Sequence, residues 1–170
     1  MKYFILLILA LLLSSCIFNR VIYNRVPRDN NGEHILNKKV KYRFVKIPNK
    51  EDLIKIDTAA YYVQIFEGRY YNNDEKNNPQ IWIFHSDGYF KKTYSQYYLK
   101  YDSNNKNSTR YGGKYRIIES VIELEQFFPI TGAKTNYYTR NITKGKIDGD
   151  KIIFDDGNSL ITILEKKYKL

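Results

Sequence analysis

The chain has almost no sulfur: one cysteine, Cys16, and one methionine, the initiator, in 170 residues. A single thiol excludes an intrachain disulfide, a thiolate metal cluster and a C-x-x-C redox pair. Histidine is nearly as scarce. His34 and His85 lie far apart, and no H-E-x-x-H or His/Cys spacing joins them, so the common zinc chemistries lack ligands. There is no Gly-x-Ser-x-Gly and no phosphate-binding glycine loop. His85-Ser86-Asp87 holds the residue types of a hydrolytic triad, but consecutively, whereas a triad needs its members to converge in space. Alanine is too rare for a helical bundle. The longest apolar run, Tyr3 to Leu13, falls short of the roughly 20 residues needed to cross a bilayer core. With no disulfide available, the fold has to hold by packing alone.

That short run still has a purpose. It follows Lys2 and ends in Leu13-Ser14-Ser15-Cys16. A cationic start, an apolar stretch and small residues before a cysteine make a secretory signal with a cleavage point. The stretch resembles the lipobox of bacterial lipoproteins. The resemblance implies removal of residues 1–15 and acylation of Cys16, which would hold the chain to a membrane through its acyl chains. Residues 16–38 then read as a lipidated tether, rich in Asn and Arg and without sustained periodicity. Residues 39–170 read as one domain, since the length is too small for two. No acidic residue follows Cys16 closely, so the expected address is the outer membrane, facing the periplasm.

The domain is rich in strand formers. There are 17 Tyr and 9 Phe, and aromatic and β-branched residues favour strands. No segment holds a 3.6-residue period over more than two turns. Lys39 to Phe44 alternates basic and apolar residues, the period of a half-buried strand, and Lys50 to Ile56 allows one helical turn. From Tyr61 a meander is expected: 61–66, 80–84, 89–100, 111–118, 121–128, 137–147, 151–154 and 159–167. Asp87-Gly88, Asp148-Gly149 and Asp156-Gly157 are hairpin signals. Placing a two-residue turn at Glu119-Ser120 sets Tyr115, Ile117, Ile122 and Leu124 on one apolar face. The other face then carries Arg116 opposite Glu123 and Lys114 opposite Glu125. A slip of one residue would lose both faces. Glu-Ser is, however, a poor turn of this type.

The connections sort by length. Those at 67–79, 102–110 and 129–136 are long and polar and share one end with 156–158. The tight ones, at 85–88, 119–120 and 148–150, share the other. The expectation is an all-β, up-and-down antiparallel meander of about eight strands, forming a barrel or half-barrel, with one extra N-terminal strand. Eight strands can be filled by side chains or can hold one small ligand.

The lipobox, the tether, Ile56-Asp57-Thr58 and the meander together resemble the small lipocalin-like lipoproteins of the Bacteroidetes. The segments that carry this are Ile81-Trp82-Ile83-Phe84 with Asp87-Gly88-Tyr89-Phe90, Gly113-Lys114-Tyr115, and Gly145-Lys146-Ile147 with Lys151-Ile152-Ile153-Phe154. The chain departs from true lipocalins in lacking Gly-x-Trp at its first barrel strand. The resemblance implies a fold and an address more than an activity. Asp57-Thr58-Ala59 matches the O-glycosylation acceptor pattern of such proteins and makes Thr58 a candidate site.

Asp148, Asp150, Asp155 and Asp156 cluster, but without the spacing of a calcium loop, and aspartate is a turn residue in its own right. Net charge is +10, dispersed and not gathered in a run. That favours anionic headgroups over a nucleic-acid groove. The expected function is therefore non-enzymatic: a monomeric, lipid-anchored domain binding a small ligand, a glycan or an envelope protein, with no metal and no cofactor. The alternative is an envelope hydrolase acting on glycan or lipid, in which the loops would bring Asp74, Glu75 or Asp102 together.

Overall fold

The computed structural model describes residues 24–25, 41–67, 70–96, 98, 112–129, 137–157 and 161–169. Cys16 lies outside them, as does Asp102. Eight of the strands close on themselves. In chain order they are β2 (Tyr61–Ile65), β3 (Gln80–Phe84), β4 (Tyr89–Tyr94), β5 (Gly112–Ile118), β6 (Val121–Pro129), β7 (Tyr137–Asp148), β8 (Lys151–Asp155) and β9 (Ile161–Lys167). Each pairs antiparallel with the next, and β9 returns to β2. The expected all-β, up-and-down barrel is present, and closure pairs every one of the eight strands on both sides over at least part of its length.

The extra N-terminal strand is also present, but elsewhere. It is β1 (Asn24–Arg25), inside the segment read as tether, and it pairs with Tyr138 and Tyr137 at the start of β7. Residues 41–44 keep the expected alternation: Tyr42 and Phe44 are buried, Lys41 and Arg43 exposed. They are not a strand, however. Their partner is a side chain. The amides of Arg43 and Phe44 donate to the Glu125 carboxylate, at 2.8–2.9 Å. This segment is a strap laid across the outside of the wall.

The hairpin at Glu119-Ser120 has the expected register: Ile118 opposite Val121, Ile117 opposite Ile122, Arg116 opposite Glu123, Tyr115 opposite Leu124. The poor turn residue is accommodated by strain. Glu119 takes φ +55°, a left-handed conformation costing a non-glycine residue about 1–2 kcal/mol. The faces divide as expected, with Tyr115, Ile117, Ile122 and Leu124 inside. Arg116 pairs with Glu123 at 2.6 Å. The Lys114–Glu125 pairing does not form as an ion pair. Glu125 is taken instead by the strap and by Arg140, whose Nε lies 2.7 Å from Oε1, an ion pair with its N–H out of line.

Two short helices carry capping boxes. α1 (Lys50–Lys55) is capped by Asn49 with Asp52, and α2 (Asn73–Asn77) by Asn72 with Glu75. α1 was legible as one helical turn. α2 was read as loop, although Asn-x-x-Glu is a capping signal. β4 ends at Tyr94, earlier than expected. The chain turns helical at Ser95, whose amide donates to Pro79 O, while Asn78 Oδ1 takes the Gln96 amide.

At the tight-turn end the barrel is plugged. α1 lies across the turns there, with Lys55 Nζ donating to Glu119 O at 2.8 Å, and Ile56 enters the core fully buried. Inside, Tyr62, Phe84, Tyr115, Ile117, Ile122, Leu124, Ile152 and Leu164 form one apolar cluster with it. Phe90 stands opposite Gly113, and Phe154 opposite Gly145. A Cβ on Gly145 would lie 2.6 Å from the Phe154 ring. Gly145 therefore makes room for an aromatic ring on the neighbouring strand, whereas a Cβ on Gly113 would first meet the Glu125 carbonyl oxygen on β6.

Candidate functional site

Going up from the plug, the interior changes character. β3 and β4 set Trp82 opposite Lys92 and Gln80 opposite Tyr94, on the same inward face as Phe84 and Phe90. The Trp82 ring stacks with Phe154 at 5.0 Å and with Phe90 at 5.8 Å. These three rings form a floor. Trp82 Nε1 donates to Gln80 Oε1 at 3.0 Å, and Gln64 Oε1 accepts from the Gln80 amide. Above this floor the packing is no longer purely apolar.

Lys92 lies on that level. Its Nζ is 5.2 Å from the Trp82 ring and 5.8 Å from the Phe128 ring. Burial pushes its pKa below the ordinary lysine value. Among the described residues no carboxylate lies within ion-pair distance of it. Two aromatic faces solvate a cation in part, about 0.5–2 kcal/mol each depending on exposure, but neither supplies a counter-charge. Alternation puts Lys92 here. It is the next inward position after Phe90, in a run Lys91-Lys92 that reads from sequence as surface charge. The outward Lys91 is buried, whereas Lys92 is half-buried.

The described part of the 67–79 connection lies at this end of the barrel. Tyr71, in the 67–79 connection, is buried and donates to Ile161 O, tying that loop to β9. Tyr70 beside it is 85 % exposed. Tyr94 and Phe128, at the loop ends of β4 and β6, are 40 % and 39 % exposed. The wall is also incomplete here. β8 pairs only with 145–148 of β7, so the loop-end arm of β7 runs on past it. The loops 102–110 and 130–136 lie outside the described residues.

The other sequence candidates fall elsewhere. His85 and Asp87 serve a turn: His85 O accepts from the Gly88 amide and from Tyr115 Oη, and Asp87 Oδ1 accepts from the Tyr89 amide. Asp74 and Glu75 are on α2, where Glu75 closes the capping box. The aspartates of the 148–156 region also serve turns and ion pairs. Asp150 pairs with Lys166 at 2.5 Å, and Asp155 caps the Gly157 amide. Among the described residues no group of three or more His, Cys, Asp and Glu is arranged to hold a metal.

Thr58 is half-exposed at the plugged end. It lines an open recess of about 520 Å³ with Leu53, Asp57, Asp150 and Lys166. Asp57 there makes an Asx turn into β2, accepting from the Ala59 amide at 2.9 Å, and a further bond from Tyr168 Oη at 2.8 Å. The Ala59 bond first, and the Tyr168 bond second, hold its carboxyl below the usual aspartate range. The aspartate of the acceptor motif thus has a turn-forming role of its own.

Among the described residues no helix is long and apolar enough to cross a membrane. Comparison of the chain with protein-family models, with curated proteins and with solved structures finds no match.

Proposed function

We propose that this is a lipid-anchored binding domain that takes a small anionic ligand at the loop end of its barrel, and that it is not an enzyme. The observation that carries the reading is Lys92, half-buried above the Trp82 floor and, among the described residues, without a carboxylate partner. A cation partly withdrawn from water with no counter-charge is costly. A carboxylate or phosphate on a ligand would supply that charge, while Trp82, Phe128 and Tyr94 would contact an apolar or aromatic portion. The floor limits depth, so the ligand occupies only the upper part of the barrel. The anchor reading is supported by Leu13-Ser14-Ser15-Cys16, with the outer membrane as the address and the domain facing the periplasm. The domain acts as a monomer without nucleic acid. The resemblance to lipocalin-like lipoproteins of the Bacteroidetes is consistent with the barrel. Modification of Thr58 is compatible with its half-exposed position and is read by mass spectrometry of the mature protein.

Dodecanoate and dodecanol differ only in the headgroup, so they test the site. Calorimetric titration should show dodecanoate binding at least tenfold tighter than dodecanol, and Lys92→Met should abolish the difference. Equal affinities for the two in the wild-type protein would sink the reading.

A further inference from the structure

β1 ties the chain to the loop end of the barrel. Asn24 pairs with Tyr138, next to the first residue of β7, and Cys16 precedes Asn24 by only eight residues. Eight residues span at most about 29 Å when fully extended. From Tyr138 to the plugged end, β7 runs ten residues further. At about 3.3 Å per residue and a tilt near 40°, that is about 25 Å of barrel height. The helix α1 beneath it adds roughly 10 Å. A barrel standing on its plugged end would hold Asn24 about 35 Å above the leaflet, beyond the reach of an anchored Cys16.

We infer that the loop end faces the leaflet, with the rim of the barrel docked on a phospholipid surface. The inference rests on the acyl-anchor reading of Cys16. The rim carries the side chains such a surface accepts. Tyr70, Tyr94 and Phe128 are exposed there, and amphipathic aromatic rings settle at the headgroup level. The net charge, +10 for the full chain and one less once Lys2 leaves with residues 1–15, favours an anionic leaflet. The plugged end offers the competing surface, since Val45, Ile47, Ile54 and Ile118 are exposed around it. Apolar exposure alone would choose that end, but the tether cannot reach from it. In the inferred orientation the Lys92 site opens toward the headgroups, so its ligand arrives from the leaflet side.

Two single substitutions at exposed side chains test the orientation, Tyr70→Cys on the rim and Ile54→Cys on α1. In the mature acylated protein the Cys16 sulfur is a thioether, so the new cysteine alone takes a polarity-sensitive dye. The labelled proteins are reconstituted into phosphatidylcholine–phosphatidylglycerol vesicles containing a headgroup-linked quencher. The dye at position 70 should be quenched at least threefold more than the dye at position 54. Stronger quenching at position 54, or none at either, would overturn the inference. Mass spectrometry of the same preparation separates the two premises: a Cys16 without acyl chains defeats the anchor reading, whereas an acylated protein with the wrong quenching pattern defeats only the orientation.

Discussion

Two charged side chains of this barrel, on opposite faces of its wall, are treated very differently. Glu125 faces outward under the strap and is 0 % exposed. It accepts from the amides of Arg43 and Phe44 and is paired with Arg140, whose other nitrogen donates to Lys41 O. Lys92 faces inward near the mouth, half-buried, and has two aromatic rings but, among the described residues, no carboxylate. The first charge is fully compensated, and its effect is to hold a segment of chain that has no sheet partner. The second is under-compensated, which makes it a place for something from outside. Burial of a charge is therefore not by itself a sign of function; what its neighbours leave unsatisfied is.

The largest expected effect falls on the compensated side. Glu125→Ala removes the acceptor of two strap amides and leaves Arg140 without its partner. Breaking a buried pair from one side typically costs about 3–5 kcal/mol. Denaturant unfolding should show that loss, and proteolysis within 41–48 should accelerate. A loss below about 1 kcal/mol, small on the scale of buried charge pairs, would mean that the strap is held by Tyr42 and Phe44 packing, and the contrast would fail.

Next in size is the floor on which Lys92 rests. Gly145→Val places methyl groups where the Phe154 ring lies, with the nearest ring carbon already 2.6 Å from a Cβ. Overpacking of this kind costs about 1–3 kcal/mol. Because Phe154 stacks on Trp82, the variant should also lose dodecanoate affinity. Loss of stability with unchanged binding would uncouple the floor from the site.

Lys92→Met is expected to act the other way on stability. Removing an uncompensated half-buried cation should stabilise by about 1 kcal/mol at most, while removing ligand binding. The pH dependence gives the sign. Burial holds the folded pKa of Lys92 below its unfolded value of 10.5, so between those values the unfolded chain binds more protons and wild-type stability rises with pH. The gap between Lys92→Met and wild type should thus be constant at neutral pH and close as pH climbs toward 10.5. A gap that widens there would show that Lys92 has a hidden anionic partner.

Most of the barrel was legible because strand alternation, Asp-Gly turns and loop lengths all carry local information. Glu119-Ser120 was placed correctly against its own turn propensity, since one apolar face and one charge-paired face together over-determined the register. What was not legible depended on pairs distant in sequence. Nothing near Glu125 says that its partners are Arg140 and the amides of residues 43 and 44, so it read as an exposed ion pair with Lys114. Nothing near Lys92 separates it from Lys91. The inward count from Phe90 would have placed it inside, but a lysine on an inward position argues against itself until the mouth is known to be polar. The strap misled for a similar reason, because period two reports which faces are buried and not what pairs with the backbone.

The smallest effect tests whether the compensated side is compensated throughout. Tyr42 packs edge-on against Phe127 at 5.3 Å and against Tyr89 at 6.0 Å. Its hydroxyl is buried with no hydrogen-bond partner, and burial first, then the Tyr89 and Glu125 charges, push its pKa far above the usual tyrosine range. An unpartnered buried hydroxyl contributes nothing to the strap and costs its desolvation, about 1–3 kcal/mol at most. Tyr42→Phe keeps the ring and removes the cost, so stability should rise by about 0.5 kcal/mol, read as a shift in denaturant midpoint at unchanged slope. A fall of 1 kcal/mol or more would mean that the hydroxyl donates to the Glu125 carboxylate in solution. Glu125 would then gather its compensation from one more group than the strap amides and Arg140, and its difference from Lys92 would be larger than the structure shows.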